Sequence, residues 1–179
     1  GRTATCGGPQ AEIEIVVLKP GPLRCVVRTE GWYVTEQGKR VARGIARMSF
    51  FAGSSMVKVS HTLVFTEDTS EVWVRDYGIQ LALPGGESGQ ATFDANKAFD
   101  KHVAGARLEG DDVACLLQSE FPHFAERESE FTVTMNSGGE AQQLTEGEAC
   151  GEWCDVTLDG VNVGVTVVLR DLAEQFPKK

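Results

Sequence analysis

No apolar run in this 179-residue chain approaches the ~20 residues that a bilayer-crossing helix needs; the longest, such as Ile15 to Leu18 and Val163 to Leu169, are far shorter. Membrane insertion is therefore not expected. Positive charge is also scarce. Seventeen Lys and Arg stand against 26 Asp and Glu, a net charge of −9, which argues against a protein whose main task is to neutralise nucleic-acid phosphates. There is no Gly-x-Ser-x-Gly elbow, Walker loop, dinucleotide fingerprint, EF-hand loop or His-Glu-x-x-His. Nucleophilic hydrolysis and phosphoryl transfer thus have no motif here, no cofactor is expected, and no catalytic residue is assigned. His61, His102 and His123 are the only histidines, and none is spaced as a pair, so no metal is expected. Asn-x-Ser/Thr acceptors are absent.

What remains is an ordinary globular composition, 41% hydrophobic and 24% charged, at a length that makes one domain and buries a substantial core. The start at Gly1 and the end at Pro177-Lys178-Lys179, a few residues after a strand-like run, read as a piece cut from something longer.

Five cysteines are more than a bacterial cytosolic protein usually carries, and their odd number leaves at least one unpaired within the chain. Cys150 and Cys154 enclose only Gly151-Glu152-Trp153, so a local loop disulfide is expected, or a bridge from one of them to Cys6 or Cys25. Cys115, in Val113-Ala114-Cys115-Leu116-Leu117, reads as a buried core thiol. Disulfides imply an extracellular or cell-surface location.

Period-two alternation dominates. Strands are expected over Glu12–Leu18, Leu23–Thr29, Gly31–Thr35, Val41–Phe51, Val57–Thr66, Val72–Leu83, Val113–Gln118, Glu130–Asn136, Glu152–Leu158 and Val163–Leu169. Lys19-Pro20-Gly21-Pro22, Glu36-Gln37-Gly38-Lys39, Glu67-Asp68-Thr69-Ser70 and Asp159-Gly160 supply turn chemistry between them. Asn136–Gly151 reads as a solvated loop, Phe93–Val103 as a short helix or an excursion, and Asp171 as the cap of a terminal turn. The fold class is all-β: an antiparallel two-sheet β-sandwich with long loops and at most short helices, with residues 1–11 an extension or linker and 12–179 the domain.

Several side chains stand out against that pattern. His61 alternates with Val57, Val59, Leu63 and Phe65, which turns it toward a core or cleft. Trp32 and Tyr33 are adjacent on a strand, so one ring faces each way, and an exposed ring can stack on a pyranose. Trp73 and Trp153 add to that pool. Arg47, Arg75 and Arg170 sit in or at the ends of apolar strands. Arg75 and Asp76 point to opposite faces of a regular strand and cannot pair directly, whereas an Arg placed like Arg47 or Arg170 is expected to pair with a carboxylate such as Asp76 or Asp171; the alternative for the group is to hold an anionic sugar or peptide carboxylate.

Two stretches do more together than composition can. The first comprises Gly31-Trp32-Tyr33 through Gly38-Lys39-Arg40, Ile45-Ala46-Arg47, Phe51-Ala52-Gly53-Ser54, Val57 through Thr66, and Arg75-Asp76-Tyr77-Gly78-Ile79-Gln80-Leu81. The second runs from Gly164-Val165-Thr166-Val167-Val168-Leu169-Arg170-Asp171 to Gln175-Phe176-Pro177-Lys178. Together they resemble the exo-rhamnogalacturonan lyase family of fungi and bacteria, including the YetA-like proteins, over roughly Glu12 to Lys178. The resemblance implies a central β-sandwich lying between a small-barrel domain and an α/α-toroid. For the full protein it implies β-elimination, in which a base removes the proton α to a galacturonate carboxylate and an acid assists the leaving oxygen. Leu172-Ala173 stands where that pattern has an aromatic pair, Cys150 and Cys154 are additions to it, and this chain has no room for a toroid.

Two functions are consistent with these residues. One is a non-catalytic sandwich module of a secreted polysaccharide-lyase-like protein, serving structure, assembly or contact with an acidic glycan. Its carbohydrate-binding candidates are Trp32, Tyr33, Arg47, His61, Arg75, Asp76, Arg170 and Asp171. The other is part of an active exo-rhamnogalacturonan lyase. The expected partners are neighbouring domains or chains of a larger extracellular protein and an acidic polysaccharide.

Overall fold

The computed structural model describes residues 3–6, 12–74, 77–95, 103–118, 131–147, 150–161 and 163–170. Every regular element among them is a β-strand, as the alternating sequence requires. In chain order they are β1 (Ala4–Thr5), β2 (Ile13–Lys19), β3 (Arg24–Thr35), β4 (Arg40–Phe51), β5 (Val57–Phe65), β6 (Ser88–Asp94), β7 (Val103–Glu109), β8 (Val113–Gln118), β9 (Phe131–Ser137), β10 (Glu140–Gly147), β11 (Trp153–Leu158) and β12 (Gly164–Val168). All pairings are antiparallel. The chain divides into two compact units, Gly1–Ile79 and Gln80–Lys179.

The first unit is a five-stranded sheet in the order β1-β3-β4-β5, with β2 also on β3. Leu23–Thr29 and Gly31–Thr35 are expected as separate strands but form the single twelve-residue β3. That length lets β4 run along one edge while β2 and then β1 share the other. The turn to β4 closes as the sequence indicates: the Gly38 amide donates to the Thr35 carbonyl, and Gly38 takes φ 81°, a left-handed conformation open to glycine at no steric cost.

The second unit contains two sheets, β12-β11-β6-β7 and β10-β9-β8. Ala91, Phe93 and Ala104 from the first sheet and Leu116, Phe131 and Val133 from the second share one core, which Cys150 completes; Phe131 and Val133 are wholly buried. Apolar residues at every second position of facing strands produce this packing. Gln118 is also fully buried there, and its Oε1 accepts from the Cys150 amide at 3.2 Å.

Several local expectations are corrected. The described residues of 72–83 form no strand; Trp73, Ile79 and Leu81 are instead largely exposed. Asn136–Gly151 is not a loop, because Gly138 and Gly139, at φ 59° and 87°, turn β9 into β10. Its Glu and Gln residues are tolerated because β10 lies at the edge of its sheet. Ser88–Asp94 and Val103–Glu109 are strands that turn-like composition had masked. Residues 96–102 and the cap at Asp171 lie outside the described residues.

The cysteines are corrected as well: no disulfide is formed among the described residues. Cys150 and Cys154 both contribute to the apolar core of the second unit instead of closing a loop. Cys6 lies beside Gly31, while Cys25 sits six residues further back along β3, about 20 Å away and far beyond bridging reach. Cys115 is only half-buried and alternates with Leu116 and Gln118, so it points away from the core that those residues enter.

Candidate functional site

Register assigns the first unit's sheet two different faces. Opposite pairs on β4 and β5 are Phe50–Val57, Met48–Val59, Ala46–His61 and Gly44–Leu63, and on β3 and β4 Tyr33 faces Ala42. His61 and Tyr33 therefore share the apolar face. The other face carries Arg24, Arg28, Glu30 and Trp32 from β3, Arg43 and Arg47 from β4, and Lys58 from β5. Trp32 and Tyr33 point to opposite faces, as their adjacency demands.

On the apolar face Gly44 leaves a gap that Tyr33 fills, since a Cβ at Gly44 would stand 2.8 Å from Tyr33 Cε2. The Tyr77 ring meets Tyr33 edge-on with centroids 6.3 Å apart, and its hydroxyl hydrogen-bonds His61 Nδ1. Burial lowers the His61 pKa, favouring neutral imidazole. Burial first, and then the neighbouring Tyr33 and Cys6, push the Tyr77 phenol up to about 12. A phenol held protonated is the donor in this pair, which makes Nδ1 the acceptor and leaves the imidazole proton on Nε2. Tyr77 and His61 thus form a bonded pair in which the phenol donates and Nδ1 accepts, with Tyr33 packed edge-on against the Tyr77 ring.

The opposite face is built from charge. Glu30, 7% exposed, pairs with the guanidinium groups of both Arg28 and Arg43. Arg28 and Arg47 stand directly opposite one another, and Lys58 faces Ser49 beside them. Lys19, opposite Val26 beyond the bulge in β2, and Arg24 extend the group. With Arg40, which lies over Trp32, seven cationic side chains share the face with three carboxylates, Glu12, Glu14 and Glu30. Among the described residues Arg24, Arg47 and Lys58 have no ion-pair partner. At the far end of the sheet a cavity of about 580 Å³ is lined by Glu12, Glu14, Glu30, Trp32 and Arg43. There Arg40 stacks 5.4 Å from the Trp32 ring centroid and pairs with Glu12 at 3.0 Å, so one side of the ring is already occupied.

Of the residues expected to form a site, the structure therefore brings together Tyr33 and His61 on one face and Trp32 and Arg47 on the other. Arg170 is exposed just after β12, in the second unit. Arg75, Asp76 and Asp171 lie outside the described residues. Sequence reading missed Tyr77, because its segment was read as strand. It also missed Arg24, Arg28, Arg43 and Lys58, although Arg24/Arg28 and Arg43/Arg47 each recur at a spacing of four, which places each pair on one face of a strand. The charge is divided along the same lines as the fold. Residues 1–79 hold ten Lys and Arg against eight Asp and Glu, whereas residues 80–179 hold seven against eighteen.

The family model for the PcRGLX-like protein central beta sandwich domain matches residues 7–116, well over half of the chain. No curated protein and no solved structure matches it.

Proposed function

This chain belongs to the family of PcRGLX-like central beta sandwich domains, and from that membership we propose that it is a non-catalytic module of a secreted, polysaccharide-lyase-like protein that contacts an acidic glycan. The observation that carries the reading is the basic sheet face. Arg24, Arg47 and Lys58 stand together without carboxylate partners among the described residues, on a unit whose charge is positive within a chain of net charge −9. Guanidinium groups in such an array offer paired N–H donors to successive uronate carboxylates, and Arg28 opposite Arg47 sets two of them on adjacent strands. Neighbouring domains or chains of an extracellular protein are the partners this role calls for.

The test is calorimetric titration with tetragalacturonate and with rhamnogalacturonan oligosaccharides, on the wild type and on the R47A/K58A double variant. Binding that weakens roughly tenfold in the variant and falls as salt is raised beyond roughly 0.1 M supports the reading. Binding unaffected by the double substitution overturns it. An assay for unsaturated uronate absorbance completes the test. Turnover by this chain, lost in the Tyr77→Phe variant, would instead favour an active part of an exo-rhamnogalacturonan lyase.

A further inference from the structure

The outer face of the four-stranded sheet in the second unit carries an unassigned site. Trp153 on β11 stands directly opposite Val168 on β12, and Asp155 opposite Thr166. On its other side Asp155 faces Thr92 of β6, and Thr92 faces Gly105 of β7. One row across four strands therefore reads Thr166, Asp155, Thr92, Gly105, about 14 Å at the usual strand spacing. Beside it Trp153 and Val168 form an apolar ledge. Trp153, Asp155, Thr92, Thr166 and Val168 line a shallow cavity of about 520 Å³.

The carboxylate is held in place from both sides. Thr166 Oγ1 donates to Asp155 Oδ1 at 2.5 Å, and Thr157 Oγ1 donates to Oδ2 at 3.1 Å. Each oxygen has spent one acceptor position and keeps another, so two parallel acceptors remain, pre-oriented next to an indole. A ligand that fits offers a pair of neighbouring hydroxyl donors and, on the same molecule, an apolar ring face for Trp153 and Val168. A pyranose combines the two. Charge selects further: Asp155 is acceptor-only, and residues 80–179 carry eighteen acidic residues, Asp155 among them, against seven basic ones, so a uronate is repelled. We infer that this groove is a binding site for a neutral sugar, separate from the basic face of the first unit.

The full chain is titrated by calorimetry with galactotetraose, arabinotetraose and xylotetraose as neutral probes and with tetragalacturonate as the anionic one. Saturable binding of at least one neutral probe is expected, weakened roughly tenfold by Asp155→Asn, the worth of one charge-assisted hydrogen bond, and lost in Trp153→Ala. Asp155→Asn is isosteric on an outward face, and its near-ultraviolet circular dichroism reports whether packing is kept. Arg47→Ala leaves neutral-sugar binding unchanged, which separates this site from the acidic-glycan face. The inference is overturned if no neutral probe binds up to roughly 10 mM, an affinity weaker than ~3 kcal/mol. It is equally overturned if binding survives both substitutions, or if tetragalacturonate displaces the neutral sugar.

Discussion

Replacing Glu30 with Gln moves two measurable quantities in opposite directions. The carboxylate is 7% exposed and serves two guanidinium groups, those of Arg28 and Arg43, whose side chains are 28% and 46% exposed. Removing one partner of a fully buried ion pair costs about 3–5 kcal/mol, because the other charge is stranded. Here both arginines reach water and the Gln carbonyl still accepts, so the loss shrinks to roughly 1–3 kcal/mol. At a slope of ~2 kcal/mol/M this lowers the urea midpoint by about 1 M, read by circular dichroism and tryptophan fluorescence. The same substitution removes one of three carboxylates from the basic face and releases two donors, so affinity for tetragalacturonate rises about fivefold, equivalent to ~1 kcal/mol. An unchanged midpoint would refute the bridging role of Glu30. A lower midpoint with unchanged or weaker acidic-sugar binding would refute the assignment of that face to an anionic ligand.

Four further outcomes follow from packing and titration. Phe131→Ala, at a wholly buried core position, should destabilise by about 3–5 kcal/mol in a denaturant titration. Gly89→Ala places a Cβ 2.6 Å from the Thr157 carbonyl oxygen, where backbone must move to accept it, so the β6–β11 pairing should lose amide protection in hydrogen exchange while Gly78→Ala, with nothing within 4 Å and no positive φ, leaves it intact. His61 has a lowered folded-state pKa, so the unfolded chain takes up the proton first; stability is full above the ordinary value of 6.5 and falls as the pH drops toward the folded pKa, a slope that His61→Gln should flatten in melts across pH 5–7. The Tyr77 phenol, raised to about 12, acts at the other end: its stabilisation is present below 10 and is lost as the pH climbs through 12, and Tyr77→Phe abolishes that step in the phenolate absorbance titration.

The legible parts of this fold are those in which one strand's own pattern is enough. Alternation from Val57 to Phe65 placed His61 on the apolar face, and adjacency alone sent Trp32 and Tyr33 to opposite faces. Glycine turns at Gly38 and Gly160 marked real hairpins because their positive φ angles demand that residue. What one strand cannot state is register. Arg28 meets Arg47, and Asp155 meets both Thr92 and Thr166, through partners 11 to 63 residues away that only the pairing brings together. Composition misled where strands are polar or glycine-bearing: β10 is rich in Glu and Gln because it is an edge strand, and β6 and β7 use Ala, Gly and Thr where small residues let the neighbouring layer approach. It misled the other way at Val72–Leu83, where apolar alternation occurs in a segment whose described residues pair with no strand. The disulfide expectation failed for a related reason, since a close sequence spacing does not say whether two sulfurs enter a core or face each other.

The division of charge also separates the range of two opposing forces on an acidic glycan, and that makes their balance measurable. The net −9 of the chain repels a polyuronate at long range, whereas Arg24, Arg47 and Lys58 attract it only at contact distance. Salt screens the distant interaction first: the Debye length falls from ~30 Å at 0.01 M to ~10 Å at 0.1 M, still longer than an Arg–carboxylate contact, and reaches ~3 Å at 1 M. Affinity for tetragalacturonate should therefore rise as salt is first added, pass through a maximum near roughly 0.1 M, and fall beyond it. A simple basic protein gives a monotonic fall instead. Calorimetry at five or more ionic strengths distinguishes the two curves. A monotonic fall from the lowest salt would mean that the acidic second unit does not act on a ligand held by the first. A flat curve would mean that the arginines do not carry the binding at all. Neutral-sugar binding at Trp153 and Asp155 supplies the internal control, because neither the long-range field nor the arginine contacts act on an uncharged ligand, and its affinity should stay level across the same series.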